Sequence, residues 1–280
     1  MRNFLVVSNK EKDPGNSVAD SIKEYLEKRD CVCCCEYVMH DDVCADRLEK
    51  AAEGGAQCVL VLGGDGTLIQ VAGALAGKDI PLLGINLGTL GYLAEVERDH
   101  ILPTLERLIS DEYDIEERMM LSANTKGNIQ AALNDIVITR LGDLRVVRYR
   151  LCVNGKCLAT YEADGIIVST PTGSTGYNMS AGGPIVEPCA SIILVTPICP
   201  HTLNTRSVVL SADDEIRIEI CESKYRHDHE AYVSCDGAAA IDLAAGDAVD
   251  IKRASGVTKI IKMSREGFLE ILSRKLRKNN

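Results

Sequence analysis

The chain has 280 residues, a hydrophobic content of 46% and a formal charge of −10, with a pI near 5.1. That is ample apolar material for one large domain or two smaller ones, and the acidic balance argues against nucleic acid as the main partner. No apolar stretch approaches the roughly 20 residues that span a bilayer, which argues against a membrane partner.

The first strand is read at once, in Asn3 to Ser8, with no charged-then-apolar leader ahead of it; this predicts a cytoplasmic protein. Asn16 or Ser17 is placed to cap a helix running to about Arg29, with Val18, Ile22, Tyr25 and Leu26 on one face. Cys31 to Val38 reads as the second strand, Asp42 to Glu53 as a helix and Gln57 to Leu62 as the third strand. A helix over Leu68 to Ala76 and a strand over Pro81 to Ile85 complete an alternation that predicts a parallel sheet covered by helices. Twelve cysteines are present, and Cys31, Cys33, Cys34 and Cys35 crowd one segment. Their spacing is not that of paired zinc ligands, and reduced cysteines pack as small hydrophobes; they are read as core-filling thiols, with no metal site assigned.

Gly63-Gly64-Asp65-Gly66-Thr67 follows the apolar run Cys58 to Leu62 directly. A buried strand turning through glycines into a helix gathers backbone N–H groups and a positive helix end at one point, which suits phosphate. Gly63, Gly64, Gly66 and Thr67 are the candidate phosphate-binding residues. The carboxylate among them needs a job: holding a divalent cation or accepting a proton from an attacking hydroxyl. The same residues also read as a tight turn. A second glycine loop, Asn86 to Gly91, follows the fourth strand, and ligands of such sheets bind beyond the carboxyl ends of the strands.

From about residue 112 the period shortens. Asn128 to Arg140, Arg148 to Val153, Lys156 to Glu162 and Gly165 to Ser169 read as strands, with Asn154-Gly155 a strong hairpin signal. Further strands are read at Ser191 to Thr196, Ser207 to Leu210, Glu215 to Glu222, Ala231 to Cys235, Ala248 to Arg253 and Thr258 to Met263, with a terminal helix near Arg265 to Lys278. The expected organisation is an α/β domain over 1–110, an all-β domain of sandwich type over 111–263, and a helix over 264–280 packing back on the first. Between Asp164 and Pro184 a buried strand runs into a long loop dense in hydroxyls and glycines that offers hydrogen bonds to a polar ligand, with Tyr177 as its aromatic.

Gly-Gly-Asp-Gly-Thr, then Asn134-Asp135, then Asp164-Gly165 with Thr170-Pro171-Thr172-Gly173-Ser174-Thr175 and Ser180-Ala181-Gly182-Gly183-Pro184, resembles the NAD kinase family. Pro200-His201-Thr202-Leu203 and Arg206 fit as well, and the resemblance runs over essentially the whole chain. It implies a Rossmann-like first domain, an all-β NAD-binding second domain, and transfer of the γ-phosphoryl group of ATP to the 2′-hydroxyl of the adenosine ribose of NAD. By the family motif Asp65 is the catalytic proton acceptor. Asp65, Gly66, Asn134, Asp135, Arg145, Asp164, Thr175, Gly176, Tyr177 and Ser180 are the NAD contacts. The implied cofactor is a divalent cation, Mg²⁺ with ATP, and the implied assembly is a homo-oligomer, dimer or tetramer; inorganic polyphosphate is a possible second donor. The alternatives are a lipid or sphingoid-base kinase sharing the Gly-Gly-Asp-Gly-Thr loop, and a nucleotide-sensing regulator on the same scaffold.

Overall fold

A computed structural model describes residues 1–39, 43–88, 91–142, 146–201, 205–222, 231–238, 240–264 and 266–278. The chain divides into two units, Met1–Glu117 with Thr258–Asn280, and Arg118–Val257.

The first unit alternates strand and helix: β1 (Asn3–Asn9), α1 (Ser17–Glu27), β2 (Val32–Val38), α2 (Ala45–Ala52), β3 (Cys58–Gly63), α3 (Asp65–Ala74), β4 (Leu82–Asn86), the short β5 (Val96–Glu97) and α4 (Ile101–Ile109). The strands run parallel in the order β4-β3-β1-β2, and β5 joins β4. Every residue of β3 and of β4 is buried, as expected for inner strands covered on both faces. Gly63 stands opposite Asn86, so the ends of β3 and β4 lie side by side. Ile22 and Leu26 of α1 and Leu105 and Leu108 of α4 share a core with Phe4, Leu60 and Ile85. Burying each such side chain contributes roughly 1.5–3 kcal/mol.

Three local details differ from expectation. The N-terminus of α1 is capped by neither Asn16 nor Ser17: the carboxylate of buried Asp13 accepts the N–H groups of Val18 (3.1 Å) and Ala19 (3.0 Å). The helix expected from Leu68 starts at Asp65, since the glycine turn itself folds into the first helical turn. The helix α4, not expected from the sequence, puts Ile101, Leu105 and Leu108 on one buried stripe.

The second unit is built from β6 (Asp114–Thr125), whose first residues belong to the first unit, β7 (Asn128–Ala132), β8 (Asp135–Arg140), β9 (Val147–Val153), β10 (Lys156–Ala163), β11 (Gly165–Ser169), the single turn α5 (Tyr177–Ser180), β12 (Ile192–Ile198), β13 (Val208–Ser211), β14 (Ile216–Ile220), β15 (Ala231–Cys235), β16 (Ile241–Leu243) and β17 (Ala248–Lys262), whose last residues, from Thr258, belong to the first unit. One sheet has the order β13-β12-β11-β8-β15-β16, and β10-β9-β14-β17 forms a second antiparallel run. Ile136, Ile138, Ile166, Val168 and Val195 of the first pack with Tyr149, Leu151, Ile216 and Ile218 of the second in one cluster, a sandwich core. The single strand expected over Asn128 to Arg140 is interrupted at Leu133-Asn134. The two strands expected over Ala248 to Met263 run on as one of 15 residues. The chain ends in α6 (Phe268–Lys278), where Ile271 is buried; the side chain of Leu276, expected on the same stripe, lies outside the described residues. Among the described residues no helix is long and apolar enough to cross a membrane.

Candidate functional site

In the first unit β3 ends at Gly63 and α3 begins at Asp65, with Gly64 as N-cap. A Cβ on Gly63 would lie 2.6 Å from Thr67 Oγ1. Thr67 is buried, and its hydroxyl accepts a hydrogen bond from Asn9 Nδ2 at 3.1 Å. These two residues therefore pack the turn onto β1. Gly64 and Gly66 differ: a Cβ on either would meet nothing within 4 Å, and neither has a positive φ. Neither packing nor backbone strain asks for glycine there. What glycine leaves is a bare helix start, open to a group that approaches the backbone.

Asp65 is held by the loop that follows β4. Its Oδ2 accepts the N–H of Tyr92 (2.5 Å), and its Oδ1 accepts those of Leu93 and Ala94 (3.0 Å each). A Cβ on Gly91 would collide with this carboxylate, so glycine is required for the approach. A carboxylate offers about four lone-pair sites. Three are used, and one on Oδ2 remains. Burial, with Asp65 as a second cause, raises the phenol of Tyr92.

The second unit repeats the device. Asp236, in the left-handed region with φ +51°, accepts the N–H of Leu133 on Oδ2 (2.6 Å) and those of Asn134 and Asp135 on Oδ1 (2.9 and 3.0 Å). From the other side, Thr170 Oγ1 donates to the Leu133 carbonyl at 2.6 Å, and Thr170 N and Ser169 Oγ donate to that of Asn134. This double grip is what breaks the expected strand between β7 and β8. It fixes the side chains of Asn134 and Asp135 on a backbone with no freedom to turn. Asn134 Oδ1 is buried and has no hydrogen-bond partner among the described residues. Asp135 is buried, and desolvation first, then the Asp236 charge, pushes its carboxyl up to about 7. Desolvation also raises Asp236, to about 6, against the opposing pull of its three amide bonds.

The hydroxyl-rich loop is more ordered than a surface loop. Thr172–Thr175 forms one 3₁₀ turn and α5 follows it. Asn178 is fully buried: its Nδ2 donates to the carbonyls of Ser174 (3.2 Å) and Pro184 (3.0 Å), and its Oδ1 accepts from Thr196 Oγ1 (2.7 Å). It holds the loop closed. Gly176 lies beside the Asn134-Asp135 pair, since a Cβ there would come 3.5 Å from Asn134 Nδ2 and 3.9 Å from Asp135 Oδ2. Tyr177 is 46% exposed, which leaves its ring free for a flat ligand. Thr175 is half-buried and Ser180 exposed. Asp164 is engaged by Arg140, whose Nε lies 3.1 Å from its Oδ1. Arg145 and the motif residues Thr202 and Leu203 lie outside the described residues. Sequence reasoning missed Asp236 as an organiser of the site and Gly91 as the seat of Asp65. The glycine itself was the available signal for the latter.

Among the described residues no three His, Cys, Asp or Glu side chains converge to hold a cation. The comparisons agree on one kind of protein. Residues 6–113 match the family model of the ATP-NAD kinase N-terminal domain, and residues 133–263 that of its C-terminal domain. The chain is 45% identical over 281 residues to an NAD kinase of Agathobacter rectalis, covering 99% of each. It is 40% identical to one of Lachnoclostridium phytofermentans, covering 98% of this chain and 99% of the relative. Its fold matches that of a yeast NADH kinase complexed with NADH (TM-score 0.85, 22% identity, 100% of this chain and 89% of the other). It also matches that of an NAD kinase from Archaeoglobus fulgidus in complex with ATP (TM-score 0.79, 24% identity, 99% of each).

Proposed function

The chain belongs to the NAD kinase family and is an NAD kinase, and from that premise we propose that Asp65 receives the proton of the NAD ribose 2′-hydroxyl as its oxygen takes the γ-phosphoryl group of ATP. The observation that carries the assignment is the geometry of this one carboxylate. Three amides aim it, and a single Oδ2 lone pair is left to accept from a hydroxyl. The new bond joins the ribose oxygen to the γ-phosphorus, the bond to the β-phosphate oxygen breaks, and ADP leaves. Phosphoryl transfer is mostly positioning and electrostatics. An aimed acceptor therefore orients the hydroxyl first and takes its proton as the bond forms.

The bare helix start at Gly64 and Gly66 suits a phosphate approaching the backbone; Gly63 and Thr67 support that turn from below. In the second unit Asn134 and Asp135 are assigned to the adenosine side of NAD, Asp164 to the nicotinamide end, and Thr175, Gly176, Tyr177 and Ser180 to the wall of the dinucleotide site. The buried, unpartnered Asn134 Oδ1 is an acceptor awaiting a donor such as an exocyclic amine. The divalent cation, Mg²⁺, is assigned to the phosphates of ATP rather than to a protein cage, in keeping with the way Mg²⁺ binds one or two carboxylates plus substrate phosphates. Bound there it would spread the charge of the transferring group. The same reading places the enzyme in the cytoplasm as a homo-oligomer, dimer or tetramer, which sedimentation checks. A matrix of ATP and polyphosphate against NAD and NADH reads its donor and acceptor range.

The test of the Asp65 role uses two variants. Asp65→Asn is expected to lower turnover by about 10²–10⁴-fold while NAD binding is largely kept. Gly91→Ala keeps the Asp65 side chain but drives a Cβ into its carboxylate and displaces it, and turnover is expected to fall there too, with Asp65 chemically intact. Unchanged turnover in Asp65→Asn refutes the proton-acceptor role.

A further inference from the structure

Among the registers of the described strands one pair of cysteines stands directly opposite across a ladder: Cys152 of β9 faces Cys157 of β10. The two strands are joined by Asn154-Gly155, both with positive φ (49° and 74°), the signature of a two-residue type I′ turn. Val153 and Lys156 close that turn. Hydrogen-bonded and open pairs alternate along an antiparallel ladder, so the next pair, Cys152 with Cys157, is a non-hydrogen-bonded one. At such a site Cα atoms stand about 4.5 Å apart, within the range a disulfide spans. The ladder is regular through this pair and shifts only beyond Cys157. On β9 the core side carries Tyr149 and Leu151 while Arg148 and Arg150 are exposed, so Cys152 belongs to the solvent face; Cys157 is exposed. Both are free thiols.

We propose that Cys152 and Cys157 form a reversible thiol–disulfide pair: a low-molecular-weight disulfide oxidises them to a bridge across the tip of the β9–β10 hairpin, and a dithiol reductant reopens it. The exposed Cys157 attacks first, because burial raises the thiol of Cys152, with Cys157 adding to the effect. The Cys157 thiolate attacks one sulfur of the oxidant RSSR, giving a mixed disulfide and expelling RS⁻. Cys152, deprotonated, attacks the Cys157 sulfur and expels the second RS⁻. Two protein thiols lose two electrons and two protons, and one RSSR becomes two RSH.

The crowded segment on β2 is a poorer candidate for a bridge. Cys33 and Cys35 are two residues apart on one strand, about 6.6 Å along it, and Cys33 is buried in the core. Their Cβ atoms leave one face side by side at about that spacing, beyond the roughly 3.5–4.5 Å a bridge allows, so the strand would have to buckle.

The experiment treats the full chain with oxidised glutathione and digests it, alkylated and unreduced, with trypsin and a glutamyl endopeptidase. Trypsin cuts after Lys156, inside the ring, so Leu151–Lys156 stays joined to Cys157–Glu162 only through the bridge. The expected result is that joined pair, two hydrogens lighter than the sum of its two reduced peptides, and recovery of both thiols with dithiothreitol. In Cys152→Ser the reaction is expected to stop at a glutathione adduct on Cys157. The proposal fails if the wild type shows no joined pair under conditions that modify the exposed Cys34 and Cys189, or if Cys157 persists as a glutathione adduct. It also fails if Cys157 of Cys152→Ser takes up no glutathione. The wild-type map decides the matter by itself should the variant not fold, and none of these readouts depends on the kinase assignments.

Discussion

Asp65 and Asp236 sit in different units, yet each takes three consecutive backbone N–H groups in the same pattern, one on Oδ2 and two on Oδ1. The surroundings separate them. Asp65 begins a helix beside two glycines whose missing side chains leave open space. Asp236 sits in a left-handed turn next to a second carboxyl, and desolvation raises both acids of that pair. On the reading proposed above, the same clasp serves chemistry at the open helix start of Asp65 and architecture at Asp236, whose carboxyl desolvation raises. The difference teaches that a hydrogen-bond pattern does not assign a role; access to the remaining lone pair does.

The largest expected contrast is in rate. Asp65→Asn is expected to cost about 10²–10⁴-fold in turnover. Asp236→Asn, at the matching position of the other clasp, is expected to change kcat far less and to show first as a raised KM for NAD. Steady-state kinetics on the two variants side by side breaks the comparison if the losses are alike.

Stability should divide them the other way. Asp236→Ala removes the acceptor of three amides and leaves them facing an emptied turn. The expected loss is about 2–4 kcal/mol, read from urea midpoints, because unpaired donors cost more than the bonds they once made. Asp236→Asn keeps one oxygen for the Asn134 and Asp135 amides, sets an Nδ2 donor against that of Leu133, and should recover part of this. Equal midpoints for the alanine variant and wild type would remove the architectural role.

How much of this was legible in the sequence depends on distance along the chain. The alternation of apolar runs and glycine loops located the parallel sheet, and Asn154-Gly155 located its hairpin, because both are local signals. The placement of Gly-Gly-Asp-Gly-Thr at a strand end followed from five apolar residues and three glycines. Asp236 escaped because the amides it holds lie 101 to 103 residues earlier. The break at Leu133-Asn134 escaped because its local signal is weak, one Asn-Asp step of a kind depleted in strands, while the groups that hold it open lie far along the chain. Thr67 looked like a phosphate ligand from its motif, and only the fold shows its hydroxyl turned inward to Asn9.

The Asp135–Asp236 pair makes the comparison dependent on pH. An ordinary aspartate titrates near 3.9, and Asp135 in the folded chain is raised to about 7. The folded state therefore holds more protons than the unfolded one between about pH 4 and pH 7. In that window stability falls as pH rises, and the loss is complete above pH 7. Between pH 5 and pH 8 the wild type is expected to lose about 2–3 kcal/mol through Asp135 alone. Asp135→Asn cannot ionise and should flatten that slope. Denaturant midpoints across the range decide it, and a variant with the wild-type slope would show that Asp135 is not the group that titrates there.

The smallest expected effect tests the ligand side of the second clasp. The double grip fixes the backbone beside Gly176, and Tyr177 follows it with a side chain that is 46% exposed. An exposed aromatic ring on an ordered turn loses little entropy when a flat base stacks on it. Tyr177→Ala is expected to weaken NAD binding by about 1–2 kcal/mol, while Tyr177→Phe should keep most of the affinity, because stacking needs the ring and not the hydroxyl. Fluorescence titration or calorimetry with NAD separates the two. If phenylalanine loses as much as alanine, the hydroxyl and not the ring makes the contact, and if neither loses affinity, the dinucleotide does not lie against this face of the loop.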